Sequence, residues 1–483
     1  MIRHKALVLL ILLIVTLSLK GNAQDTHYWT HQYGTRSTLL GGLVIGSVLD
    51  LSGTYYNPGG LSLIEDPETI LAAKIFHYPS VKLKGLTRED IDLSSSYLGP
   101  APSLIAGRFK FKWLGKHWLG YSFLTRQEVN IGISETVIDS MDMITDSPGD
   151  EDIVLDLQMR EKLAEPWWGI TWSYKVSDRF GIGISPYLVF RSHSVNIQGL
   201  GEALTTNGEL ALTLFKRDYS YFNTLLVWKL GVALDFDRVT FGLTMTTPSI
   251  KLYGDGTTGI NITMVWQDLD NDSTKEDYMA ADYQNGLDAN YRTPLSVGFG
   301  MTFKFQNVHL YGSAEWFDDM DEYEVISVED FSAQSSGEML SNNLTHELDS
   351  VLNYGAGIEY ILNQNLKIYS SFCTDFSAQK PGSDTNMSMS DWDIRHIQGG
   401  TTFKIKRSEF TLGLGYSWGE KSTEQKYEIP EDIEEGYLKF IKDLEFKYSS
   451  IKFIIDVEKK ILQSAVKAQF KYSSIKFIIG FAF

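Results

Sequence analysis

Residues able to do chemistry are few in this chain, and their spacing is wrong for it. Cys373 is its single cysteine, so neither an intrachain disulfide nor a multi-cysteine metal site can be built. Neither G-x-S-x-G nor H-E-x-x-H occurs, and His346-Glu347 lacks the second histidine of a helical zinc site. GDGTTG at 254–259 matches a dinucleotide fingerprint by letter, but it opens an acidic stretch rather than a helix. Asp268, Asp270 and Asp272 have the spacing of a calcium loop; the turn glycine is missing and position twelve is Met279. A loose surface cation is the most these aspartates could hold. The sequence therefore predicts no catalytic residue, no cofactor and no resident metal, and the chain reads as a non-enzyme.

The composition narrows the class. Lys and Arg total 43 against 61 Asp and Glu, a formal charge of −18, so there is no basic surplus to neutralise nucleic-acid phosphates. A content of 43% hydrophobic and 13% aromatic residues excludes wholesale disorder. The first residues read as an address. Arg3 and Lys5 precede an apolar run from Ala6 to Leu19, and Gly21-Asn22-Ala23 supplies small residues for cleavage near Ala23/Gln24. That run falls short of the roughly 20 residues a spanning helix needs. Residues 1–23 are thus expected to be a signal peptide. No later stretch holds enough consecutive apolar residues to span as a helix, so a membrane form must be a closed β-barrel.

The periodicity agrees. Phe410, Leu412, Leu414, Tyr416 and Trp418 fall on one face of a strand, with Thr411, Gly413, Gly415 and Ser417 on the other. Leu295, Val297, Phe299, Met301 and Phe303 alternate in the same way with Ser296, Gly298, Gly300, Thr302 and Lys304. Trp168, Ile170, Trp172, Tyr174 and Val176, and then Leu226, Trp228, Leu230, Val232 and Leu234, make two more such faces. Trp and Tyr recur at strand ends, as an interfacial girdle requires. The small residues opposite suit a curved barrel wall.

About fourteen strands can be counted, an even number as single-chain bacterial barrels have. Tight connections, at 114–116, 235–238, 306, 363–364 and 406–407, alternate with long acidic ones at 136–163, 254–291, 318–349, 378–391 and 420–469. Short turns on one side and long loops on the other are the pattern of an outer-membrane barrel. The last strand, 470–483, alternates apolar residues and ends on Phe483. That is the expected signal to the barrel-assembly machinery. FKYSSIKFII occurs twice, at 446–455 and 470–479; the stretch between the copies is charged, so the first copy is expected in the last extracellular loop.

Residues 33–64 contain Tyr55-Tyr56-Asn57-Pro58-Gly59 after a run of small residues. This resembles the N-terminal plug of the FadL-type family of long-chain fatty-acid and aromatic-hydrocarbon outer-membrane transporters, which carries Asn-Pro-Ala there. Weaker similarities follow in order: LTMTTP at 243–248, TPLSVGFGMTF at 293–303, AEWF at 314–317, GAGIEYILNQNLKIYSSF at 355–372, and the terminal strand. Gly59 replaces the family's Ala; both are small, so little change is expected. Independently of the family, Asn-Pro-Gly-Gly is a turn signal. The resemblance implies an all-β fold: a transmembrane antiparallel β-barrel of about fourteen strands with an N-terminal plug in the lumen. Residues 24–66 would form the plug and 67–483 the barrel.

By strand parity Arg108, Lys110, Arg126, Lys175, Arg191, His193, Lys229, Glu315 and Glu359 point inward. Charged residues line any water-exposed barrel interior and pair with one another. The sharper expectation is that one of Arg108, Arg126 and Arg191 holds the carboxylate of an amphipathic ligand whose tail lies on Leu104, Leu124 and Tyr187. The function that follows is passive uptake of hydrophobic small molecules by a monomeric barrel in outer-membrane lipid. A plugged barrel acting as a surface adhesin through its acidic loops is the alternative.

Overall fold

Residues that alternate apolar and small or polar side chains pair as strands, and pairing them around a ring leaves no edge. The structure, a computed structural model, describes residues 26–64, 74–84, 93–96, 99–101, 104–109, 115–141, 144, 147–267, 275–380, 392–405, 408–423 and 444–459. The predicted leader at 1–23, Lys110 and the predicted terminal strand at 470–483 lie outside the described residues.

The ring runs antiparallel from Lys74–Lys84 through Leu93–Ser96, Gly99–Ala101 and Ile105–Phe109 to His117–Met141, Glu151–Ser177, Phe180–Leu204 and Leu210–Asp235. It continues through Val239–Thr246, Ser296–Lys304, Val308–Phe317, Val351–Asn363, Leu366–Asp375, Ile394–Ile405 and Ser408–Thr423. Leu444–Lys459 comes last and pairs back onto Lys74–Lys84, so the order of pairings returns to its start. Among the described residues this makes fourteen crossings of a transmembrane antiparallel β-barrel; thirteen match expected strands, and the fourteenth, Leu444–Lys459, stands where 470–483 was expected. The outward set is apolar, with Trp168, Ile170, Leu243, Phe299 and Leu414 about half exposed to what would be lipid.

Two readings of the sequence need correction. The acidic stretch 136–163 is not a loop: His117–Met141 and Glu151–Ser177 remain laddered up to Met141↔Glu151. Four neighbouring strands have 25 to 27 residues, against the roughly 9–11 that cross a bilayer. They rise above the membrane as a wall, and Ile250–Gln267 and Glu276–Leu287 extend it, so much of 254–291 is strand as well. Charge on the outer face of a solvated strand mimics a loop in composition. Second, the copy at 446–455 is not in a loop but in the wall, within Leu444–Lys459.

Residues 26–64 fill the lumen. They form two short helices, Thr35–Leu39 and Gly53–Tyr56, and a 3₁₀ turn, Pro58–Leu63. Leu39, Leu40, Leu43, Leu51 and Leu61 are fully buried, in one core with wall residues such as Leu104, Leu124 and Val189. Above them the connection 318–349 folds back as a hairpin, Met320–Ile326 with Leu344–Leu348. Its Val325, Ile326 and Leu344 are buried in that core too. Asn290 N donates to the Val325 carbonyl (2.8 Å), and Arg217 Nε donates to Asn342 Oδ1 (2.9 Å).

Candidate functional site: the plug seat and the seam above it

Asn57 is fully buried and extended, with φ −156°. Its Oδ1 accepts from Gly59 N (3.0 Å), and Pro58 at the first helical position pre-sets φ, so the pair starts the 3₁₀ turn. The Nδ2 amide donates outward twice, to Ile45 O inside the plug and to Val232 O in the wall, each at 2.9 Å. One side chain therefore ties the turn, the plug and the barrel together.

The wall is shaped to receive that backbone. Gly183 and Gly231 face each other across a ladder, as do Gly242 and Gly300. A Cβ at Gly183 would meet Pro58, one at Gly231 would meet Asn57 and Pro58, and one at Gly242 the Ile45 carbonyl. A Cβ at Gly300 would strike Gly46. The small lumen-facing residues are thus needed less for curvature than because plug backbone lies directly on strand backbone. Gly59 obeys the same constraint: an added Cβ would sit 2.6 Å from Gly231 O and 2.9 Å from Gly181 O. The expectation that Ala would serve equally well at 59 does not hold in this chain.

Polar side chains complete the seat. Ser185 Oγ and Tyr187 Oη both donate to Thr54 O at 2.8 Å, and Ser371 Oγ donates to Leu39 O at 3.0 Å. Asp375, fully buried, accepts from Tyr28 N (3.0 Å), Trp29 N (2.8 Å) and Thr30 Oγ1 (2.7 Å), and so holds the segment that leads into the plug. His396 lies 3.7 Å from Asp375 and its Nδ1 is 2.6 Å from Ser417 Oγ. This is the residue set of a hydrolytic triad, but its carboxylate is committed to plug donors. Inside the plug Tyr33 N donates to Tyr56 Oη (2.9 Å), and Tyr33 Oη donates to Thr125 O of the wall (3.0 Å). Burial pushes both phenol pKa values up, so the hydroxyls stay neutral.

The predicted ligand residues separate into groups. Leu104, Leu124 and Tyr187 are fully buried in the core shared with the plug. Arg191, also fully buried, meets Glu165 and Gln127 (each 2.6 Å) and Tyr221 Oη (3.0 Å), and lies 3.7 Å over the Tyr291 ring. Its charge is matched inside the wall. Arg108 is half-buried on the inner face. Arg126 is the extra residue of a bulge between Thr125 and Gln127, which re-aims its side chain. Its guanidinium lies 5.3 Å from the rings of both Tyr28 and Trp167.

Arg126 borders a cavity of about 20 Å³ at the seam of plug and wall, with Tyr55, Trp167, Lys229, Ser296 and Glu315 among its lining. That is room for about one water. Lys229 Nζ is 3.4 Å from Glu315 Oε1 and 4.5 Å from the Tyr55 ring centroid. Glu315 also accepts from Ser296 Oγ (2.8 Å) and from Trp29 Nε1 of the plug (3.0 Å). Two cations and one carboxylate thus face each other across the plug's edge. The bulge had no sequence signal, and nothing in its strand-end position marked Asp375.

Fold and seat together define a plugged transmembrane β-barrel. No family model and no curated protein sequence matches the chain. Among solved structures, it is similar to the Pseudomonas putida toluene transporter TodX, with 13% identity over 90% of this chain and 99% of that one, and a TM-score of 0.55. A Pseudomonas aeruginosa FadL homologue gives 12% identity, 90% and 99% coverage and 0.53. The Ralstonia pickettii toluene transporter TbuX gives 13%, 91% and 99%, and 0.50. The fold is that of the FadL-type family.

Proposed function

We propose that the chain is an outer-membrane channel for passive uptake of hydrophobic small molecules, long-chain fatty acids or related lipids and aromatics. In this reading residues 1–23 direct export, 24–66 form the plug and 67–483 the monomeric barrel, delivered by the assembly machinery through the strand ending at Phe483. The FadL-type fold supports it, since the solved relatives include toluene transporters. The observation that carries it is the seat: among the described residues the plug meets the wall through hydrogen bonds, close packing and cation–ring contacts, with an apolar core directly above. Such contacts can be released without breaking a covalent bond or spending a cofactor.

A ligand entering between the upper wall and the 318–349 hairpin would descend along apolar side chains to the seam. There Arg126, with Lys229 beside it, offers positive charge to a carboxylate or an aromatic face. Arg108 lies on the same inner surface, whereas Arg191 is already spent on Glu165. Single-channel recording of the purified protein with and without residues 24–64 tests the reading. Raised conductance and faster lipid uptake in the deleted form support it; unchanged conductance in a correctly inserted barrel would overturn it.

A further inference from the structure

The decapeptide at 446–455 occupies a slot between two strands. On one side it ladders with Ser408–Thr423, from Lys421↔Phe446 through Tyr416↔Ile451 to Leu412↔Ile455. On the other it ladders with Lys74–Lys84, from Leu83↔Phe446 through Tyr78↔Ile451 to Lys74↔Ile455. All ten residues are paired on both sides. The same ten residues recur twenty-four positions later, at 470–479.

A slot in a sheet selects its occupant by backbone pairing and by the inward-outward parity of the side chains. The two copies are identical in both respects, so within these ten positions the slot cannot tell them apart. Selection is left to the flanks. The first copy is followed by Asp456-Val457-Glu458-Lys459, laddered to Thr411–Ser408 at the tight-turn end of the barrel. The second is followed by Gly480-Phe481-Ala482-Phe483, which is uncharged and alternates small with aromatic residues. At that end of a wall facing lipid, the second flank is the better match.

We propose that the slot is shared, and that residues 470–479 exchange with residues 446–455 as the last strand. The exchange would lengthen the connection after Thr423 from 424–443 to 424–469. The exchange keeps every backbone pair in the slot.

The test uses the full-length chain with Cys373→Ser, so that no native thiol competes. Tyr416→Cys is paired either with Ile451→Cys or with Ile475→Cys, and disulfide formation is read in heat-modifiable protein extracted from membranes. Leu414→Cys, paired with Phe453→Cys or Phe477→Cys, repeats the measurement at a second register position, in case one pair fails to assemble. Shared occupancy requires that both partners cross-link in folded barrels, each in a fraction of the molecules. Cross-linking to the first copy alone, or to the second alone, means a single occupant and overturns the proposal.

Discussion

The strands Phe180–Leu204 and Leu210–Asp235 each carry two different surfaces on one lumen face. Low in the barrel they present Gly181, Gly183, Gly231 and Ala233, against which the plug's backbone lies. Higher up the same parity presents Arg191, His193, Tyr221 and Asn223, all buried. The low half holds its partner through absent side chains, the high half through large ones. His193 Nε2 meets Glu161 at 2.9 Å, and Arg191 meets Glu165 at 2.6 Å. Asn223 Nδ2 donates to Ala289 O at 2.8 Å, which fastens the chain leading into the upper barrel. Backbone-to-backbone packing can separate and re-form with little reorganisation. A buried charge network resists separation, because every broken pair leaves an uncompensated ion. The contrast predicts a mobile floor beneath a rigid rim.

The largest effect should come from breaking the rim. Glu165→Ala strands Arg191 in the wall, at a cost of about 3–5 kcal/mol. Proteolysis of the 318–349 hairpin should then accelerate strongly. Adding Arg191→Met should restore most of the loss, since the pair is missed less than either half alone. If Glu165→Ala leaves the hairpin as protected as in the native protein, the rim is not held by charge.

Next comes the floor. Gly242→Ala puts a methyl group onto the Ile45 carbonyl, an overpacking cost of about 1–3 kcal/mol. That is a roughly 5–150-fold shift toward an unseated plug. Single-channel recordings should show it as a raised open probability with normal heat-modifiability. Gly132→Ala, where an added Cβ meets nothing within 4 Å, should not change the recording. Equal behaviour of the two variants would mean that close packing does not hold the plug.

A smaller effect is expected at Asn57. Asn57→Ala removes three hydrogen bonds, but only the one to Val232 O joins plug to wall, worth about 0.5–1.5 kcal/mol net. Lipid uptake by cells at matched surface abundance should change, and barrel assembly should not. Native uptake of every hydrophobic probe would reduce Asn57 to an ordinary turn residue.

The barrel was legible because lipid and lumen impose opposite demands on alternate residues. Phe299 and Leu414 face out and Gly300 and Gly415 face in, just as their parity says. The plug turn was legible because Asn-Pro-Gly has a local conformational meaning. What parity could not carry was the effect of one extra residue: the bulge takes Arg126 out of the ladder between the paired, buried Leu124 and Gln127 and sends its side chain to the seam. Nor does composition separate a loop from a strand that has left the membrane, which is why 136–163 looked like a loop. The role of Gly59 depends on two carbonyls from strands more than a hundred residues away, and no local pattern reports such a contact.

The smallest expected effect concerns acid and the rim. His346, on the hairpin, is fully buried between Tyr291 and Tyr323, with ring centroids 6.2 Å and 6.0 Å away. Among the described residues neither of its ring nitrogens has a hydrogen-bond partner. Burial, and then the Arg191 charge, push its pKa down to about 3. When the hairpin opens, the imidazole returns to the ordinary value near 6.5. Between those values the open state binds more protons than the closed one, so closure is favoured above pH 6.5 and weakens steadily below it. The change from pH 6.5 to 5.5 is roughly 1 kcal/mol. Hydrogen exchange of residues 344–348 should therefore speed up as pH falls through that range, after correction for the intrinsic pH dependence of exchange. His346→Phe keeps the stacking on the two tyrosines and removes the proton site, so its corrected exchange should be flat over the same interval. A matching slope in the variant would place the titrating group elsewhere, with His193, buried beside Glu161, the next candidate in the same network.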